Sequence, residues 1–195
     1  MTGVVSLLIA ATAFSQVSTW IADPAHSHIG FKVRHMMVSN VNGEFKKFDI
    51  KVDYDKADVT KSKVNVTIDA ASISTDNDRR DSDLRGENFF DVASFPTITY
   101  TSTHIRKTGN GLEMMGDLTI HGITKQVILA VDGPIGPITD SRGNIRMGAS
   151  ATGTINRLDF GLTRNSPLEG GGVVIGIEVS LLIDVELIKN QPSEK

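Results

Sequence analysis

Five histidines and one dense run of acidic and basic residues have the types and spacing for chemistry in this chain. His26 and His28, in "HSH", would present two imidazoles from one strand face, and His35, His104 or His121 would supply a third metal ligand. Their spacing matches no metal-binding motif, so hydrogen-bonded imidazoles at strand ends are the ordinary reading and no metal is expected. The run "DSDLRGENFFDV", residues 81–92, sets Asp81, Asp83 and Gly86 at the first, third and sixth places of an EF-hand loop. Arg85 stands fifth and Val92 twelfth, where a fifth-position oxygen and a closing carboxylate belong, and this argues against calcium. For nucleophilic catalysis a G-x-S-x-G elbow is missing, and "GNG" and "EGGGVV" lack both the phosphate-loop lysine and the dinucleotide fingerprint. No catalytic residue and no cofactor follow from these patterns, although a sheet can still assemble a carboxylate pair across strands.

Composition narrows the classes further. The chain has no cysteine, which removes thiol redox chemistry, zinc thiolate sites and cysteine nucleophiles. Its 20 Lys plus Arg against 23 Asp plus Glu give a net charge of −3, too even a balance for the basic field that nucleic acid requires. At 195 residues it can bury a sizeable core without a staple. The opening "VVSLLIAATAFSQ" has the apolar core of a secretory signal, with Ala13 and Ser15 as the small residues before a cut that leaves Gln16 first. No Lys or Arg precedes that run. The expected organisation is a signal peptide over residues 1–15 and a single domain over residues 16–195.

The elements that would position these side chains are strands. Ile29, Phe31 and Val33 alternate with polar residues, and His35 shares their parity. In "EFKKFDIKVDY", Phe48, Ile50, Val52 and Tyr54 hold one phase while Phe45 falls out of it, which predicts a β-bulge at Lys46 and Lys47 with both aromatics inward. Val64, Val66 and Ile68 continue the pattern. Ile98 and Tyr100 follow with His104 in their parity, and Leu118 and Ile120 lead through a turn at His121 and Gly122 to Val127, Leu129 and Val131. Gly148, Ala149, Ala151 and Gly153 make a strand of small residues. The last run alternates from Ile175 to Leu187 and, at roughly 3.3 Å per residue, would reach on the order of 45 Å. A short helix is predicted over residues 78–84, with Thr75 and Asp78 as a capping pair and Arg79 with Asp83 and Asp81 with Arg85 as ion pairs. Phe89, Phe90 and Phe95 would lie across a barrel end.

This is an all-β pattern of about eight long strands, and an up-and-down antiparallel barrel is its natural closure, with a two-sheet sandwich as the alternative. A barrel of that size holds either packed side chains or one small ligand, and the small-residue strand leaves both open.

"HSHIGFKVRH", "VNGEFKKFD", "ASISTDNDRRDSDLRGENFFDVASFPTITYTS", "GDLTIHGITKQV" and "INRLDFGL", in that order and followed by the long final strand, resemble the YceI-like family of polyisoprenoid-binding proteins. His26, Ser27, His35, Gly43, Phe45, Arg80, Asp81, Leu84, Phe89, Phe90, Phe95, Pro96 and the block from Gly116 to Lys125 match the family's pattern. The resemblance implies an extended, lipocalin-like eight-stranded barrel whose hydrophobic tunnel holds a long isoprenoid chain, in an exported bacterial protein of the periplasm or exterior. Taken with strand parity, it puts Phe31, Val33, Phe45, Phe48, Ile50, Val66, Ile68, Tyr100, Leu118, Leu129, Ile177, Val179 and Leu181 on the ligand. Phe89 and Phe90 would edge the tunnel, and His35 would anchor the ligand's polar end. The expected function is carriage or sequestration of an isoprenoid lipid or quinone, with no bond made or broken. A barrel enzyme acting on a lipid-like substrate and an exported interaction module with a filled core are the rival readings. Transient membrane contact and pairing of two barrels are compatible with each.

Overall fold

The computed structural model of the chain describes residues 17–190, so the expected signal segment lies outside the described residues. Eleven strands follow in order: β1 (Val17–Ala22), β2 (His28–His35), β3 (Ser39–Phe45), β4 (Phe48–Asp55), β5 (Lys63–Asp69), β6 (Ile73–Ser74), β7 (Thr97–Thr108), β8 (Gly111–Ile120), β9 (Ile123–Thr139), β10 (Ile145–Asn156) and β11 (Ile175–Lys189). One α-helix, α1 (Asp78–Arg85), separates β6 from β7.

All pairings between strands are antiparallel, and β1 closes the ring because it pairs with β4 on one side and β11 on the other. The barrel therefore has eight strands, β1-β4-β5-β7-β8-β9-β10-β11. The long β11 makes this possible. Its residues from Ile175 to Asp184 pair with β2, and those from Leu187 to Lys189 pair with β1, so β1 and β2 share one edge of it. The corner between them keeps its backbone groups satisfied, with Asp23 N donating to Glu186 O at 2.8 Å and Glu186 N donating to Ser27 Oγ at 3.1 Å. β2 then carries β3, and β3 carries β6, as a flap on the ring.

β2 is one of the eight runs whose alternation is visible in the sequence, whereas the six residues of β1 show little alternation. The sequence also predicts a bulge where there is a break. Phe45 ends β3, opposite Ile29 and Ile73, while Phe48 begins β4, opposite Ile68. Lys46 and Lys47 cross between the two, and the turn at Ala70–Ser72 takes over their hydrogen bonds: Lys46 N donates to Ser72 O and Lys47 N to Ser72 Oγ.

The β8 to β9 hairpin forms at the expected place. His121 (φ 51°) and Gly122 (φ 73°) both adopt the left-handed conformation of a two-residue turn matched to strand twist. Gly122 is required twice over, since a Cβ there would also come within 2.6 Å of the Phe95 ring.

α1 is capped by Asn77, whose side chain accepts from Arg80 N, and not by Thr75. The expected Arg79 to Asp83 and Asp81 to Arg85 ion pairs do not form. Asp81 is buried and turns instead to Thr75, accepting from its N at 2.9 Å and its Oγ1 at 2.5 Å. Arg80 donates to Thr75 Oγ1 and O, and Arg85 donates to Ala71 O and Ile73 O, both at 2.8 Å. The basic and acidic run is thus a clamp that fastens α1 onto β6 and the turn before it.

Candidate functional site

The interior of the ring is not filled. A cavity of about 290 Å³ runs inside it, walled from β2 through β11 by side chains that are almost entirely apolar. Alternation in the strands produces this wall: Phe31 and Val33 from β2, Ile50 and Val52 from β4, Val64, Val66 and Ile68 from β5, and Val179, Leu181, Ile183, Val185 and Leu187 from β11 all face it. Phe45, Tyr100, Leu118 and Leu129 complete the expected set that lies there. From the segment after α1, Phe89 and Phe90 reach the cavity together with Leu84 of the helix. Phe90 meets Phe45 edge-on at 5.9 Å between ring centroids, and Phe45 meets Phe31 at 6.0 Å, so an aromatic row pins that segment to β2 and β3.

Three of the expected residues lie elsewhere. Ile177 is 43% exposed, because β11 has two extra residues against β2 between Ile175 and Val179, and the irregularity turns Ile177 out of the barrel. Phe48 packs on the core at the first position of β4 but is not in the wall. His35, half-buried at the last position of β2, also stands outside it, so the polar anchor expected there is absent from the cavity. His104 is exposed for the same kind of reason as Ile177. A register shift between Ser102 and His104 hands the inward position to Ile105. Phe95 likewise leaves the cavity edge and packs against His121, with ring centroids 4.4 Å apart and planes tilted by 58°.

The small-residue strand does leave room, though not at every expected position. Ala149, Ser150 and Ala151 line the cavity in succession, since β10 slips against β9 on either side of Gly148 and alternation is lost there. Gly153 instead admits the Leu129 side chain, which a Cβ would meet at 2.7 Å.

Polar groups in the wall are few, and most are engaged. Ser62 Oγ accepts from Asp55 N at 3.0 Å, and Tyr100 OH donates to Met114 O at 3.3 Å. Burial, and secondarily the Asp117 carboxylate, push the Tyr100 phenol far above its ordinary range, so it stays protonated. Arg157 is the exception in kind: it lines the cavity, is 5% exposed, and is held by backbone carbonyls alone. Parity cannot find Arg157, because it lies just beyond β10, in the turn Arg157–Phe160. Its one sequence signal is a basic residue between Asn156 and Leu158 in "INRLDFGL".

His26 and His28 do not meet in one cluster of ligating groups among the described residues. His26 Nδ1 lies 3.0 Å from Asp23 and His28 Nδ1 lies 3.0 Å from Glu44. Asp23, His26 and Glu186 do come within ligating distance of one another, but the Arg146 guanidinium stands among them. Arg146 bonds Asp23 at 2.8 Å, Asp140 at 2.7 Å, and Glu186. It meets the negative charge that a metal would otherwise meet. Arg146, with help from His26, holds the Asp23 carboxyl down at about 2. Arg146 and Asn144 hold Asp140 well below the usual carboxylate range. This network rivets the β1 to β2 corner, β10 and β11 together, outside the cavity.

The model of the YceI-like domain matches residues 20–187. The "UPF0312 protein SAS2572" of Staphylococcus aureus is 36% identical over 164 residues, which are 84% of this chain and 94% of that protein. Among solved structures, the YCEI protein of Campylobacter jejuni is similar with a TM-score of 0.66 and 31% identity, covering 82% of this chain and 91% of that one. A structure described as a polyisoprenoid binding domain from Saccharophagus degradans matches with a TM-score of 0.58 over 90% of this chain and 100% of that one; at 15% identity the likeness is one of fold.

Proposed function

The chain belongs to the YceI-like family, and on that premise we propose that its barrel binds a long-chain isoprenoid lipid or isoprenoid quinone and carries or sequesters it without chemical change. The observation that carries this reading is the continuous apolar cavity inside a closed ring of strands. Burying apolar surface there would return about 25 cal/mol per Å², so chain contact rather than headgroup contact supplies most of the affinity. A chain of linked isoprene units suits a wall made of Ile, Val, Leu and Phe. The polyisoprenoid binding domain with the same fold is consistent with this choice of ligand. The non-catalytic part of the reading is supported by the chemistry of the wall: among the described residues it includes no carboxylate and no imidazole that could act as a general base. Export, with removal of residues 1–15, belongs to the same proposal and would place the carrier where it could shield an isoprenoid from water between membranes.

The test is a titration of the purified protein with isoprenoid alcohols of increasing length, read by displacement of a fluorescent lipid. Affinity should rise with each added isoprene unit until the cavity is full and then level off. Affinity independent of chain length, or release of a chemically altered lipid, would contradict the carrier reading.

A further inference from the structure

Arg157 is the one charged side chain in the cavity wall among the described residues. Its Nε donates to Gly176 O at 2.9 Å, its Nη2 to Ile175 O at 3.2 Å, and its Nη1 to Leu162 O. Every partner is a neutral carbonyl, and no carboxylate of the described residues forms an ion pair with it. A guanidinium has five N–H donors, and these bonds use three of them. Desolvation lowers its pKa, yet an arginine in a protein remains a cation. A buried cation without a counter-charge is costly, and buried charges are normally paired. Among the described residues the wall supplies no anion, so what fills the cavity is the natural source of a counter-charge.

Resting on the carrier reading above, we propose that Arg157 receives the polar end of the ligand, and that this end is an anionic oxygen group, a monophosphate or a carboxylate, in preference to an alcohol. The surroundings suit that arrangement. Ile155, Leu162 and Ile175 adjoin Arg157 in the wall, so an apolar chain can extend from the charged end directly onto hydrophobic surface. The two remaining donors match the planar, two-oxygen recognition that arginine gives to phosphate and carboxylate. The residue also has a mechanical role, tying the turn after β10 to the irregular start of β11. That role alone gives no reason to discriminate between ligand headgroups.

Equilibrium dialysis of geranylgeraniol, geranylgeranyl phosphate and the carboxylic acid of the same chain separates the two roles. The wild-type protein should hold at least one of the anionic ligands about tenfold or more tighter than the alcohol. Which of the two gains more identifies the oxyacid. R157M should erase that gap, bringing the anionic ligands down to the affinity of the alcohol, and R157K should retain part of it. Equal affinity of the wild type for all three, or a loss in R157M shared equally by all three, would overturn the inference and leave the carrier reading standing. Should R157M not fold, the wild-type comparison and R157K decide. Failure of the wild type to bind any of the three would remove the carrier reading and this inference with it.

Discussion

Asp81 is a buried carboxylate with both of its hydrogen bonds to Thr75, six residues back along the chain. Asp81→Ala would leave the Thr75 N–H without its partner in a buried position, and should lower the free energy of unfolding by about 1 to 3 kcal/mol, measured by urea titration. Added calcium should change nothing in either protein. Gly116 is constrained differently: a Cβ there would come within 2.6 Å of Thr101 O and of the Tyr100 hydroxyl, one of which is backbone and cannot turn aside. Gly116→Val should therefore destabilise by about 1 to 3 kcal/mol through overpacking, seen as a lower thermal midpoint. Single residues were also where reading from sequence failed. His104 and Ile177 share parity with inward neighbours, and a local slip of one strand against the next turned each of them out. Parity carries no information about bulges, nor about a side chain such as Arg157 that reaches the cavity from outside a strand.

At the scale of elements, the Arg146 network and the α1 clamp each join segments distant in sequence. Asp23 has a folded-state pKa of about 2, against about 3.9 for an unfolded aspartate, so its ionised form is favoured by folding. Its contribution is complete above about pH 4 and is lost as pH falls toward 2; the depressed Asp140 acts in the same direction. R146M should lower the urea midpoint at neutral pH and flatten its decline between about pH 4 and pH 2. An unchanged pH profile would show that the seam between β1, β10 and β11 is held by the backbone alone. For the clamp, replacing Arg80 and Asp81 together by Ala should increase amide exchange in α1 and β6 ahead of the barrel strands, and should speed loss of bound lipid. The long strands, the β8 to β9 turn and the position of α1 were legible because alternation, His-Gly and the polar run each have a local cause. β1 and β6 were not. Their placement depends on partners, β11 and β3, that lie far away in the chain.

At the scale of the molecule, closure by β1 and the apolar facing of eight strands leave an interior space, and whether that space is used is the functional question. Ala151→Phe, on the wall of β10, should fill part of the cavity, weaken isoprenoid binding by on the order of tenfold, and leave the thermal midpoint of the ligand-free protein unchanged or raised. Equal binding by this variant would place the ligand outside the barrel. From sequence the barrel was readable, but a cavity and a packed core were equally compatible with the same alternation. The volume enclosed depends on how the side chains of opposite strands meet across the axis. The most direct measurement is organic extraction and mass spectrometry of the full-length chain expressed in bacteria and purified without detergent. The carrier account predicts an intact isoprenoid lipid or quinone in near-stoichiometric amount. A protein that comes out empty and takes up no added isoprenoid, or one that returns a lipid chemically altered, would contradict it.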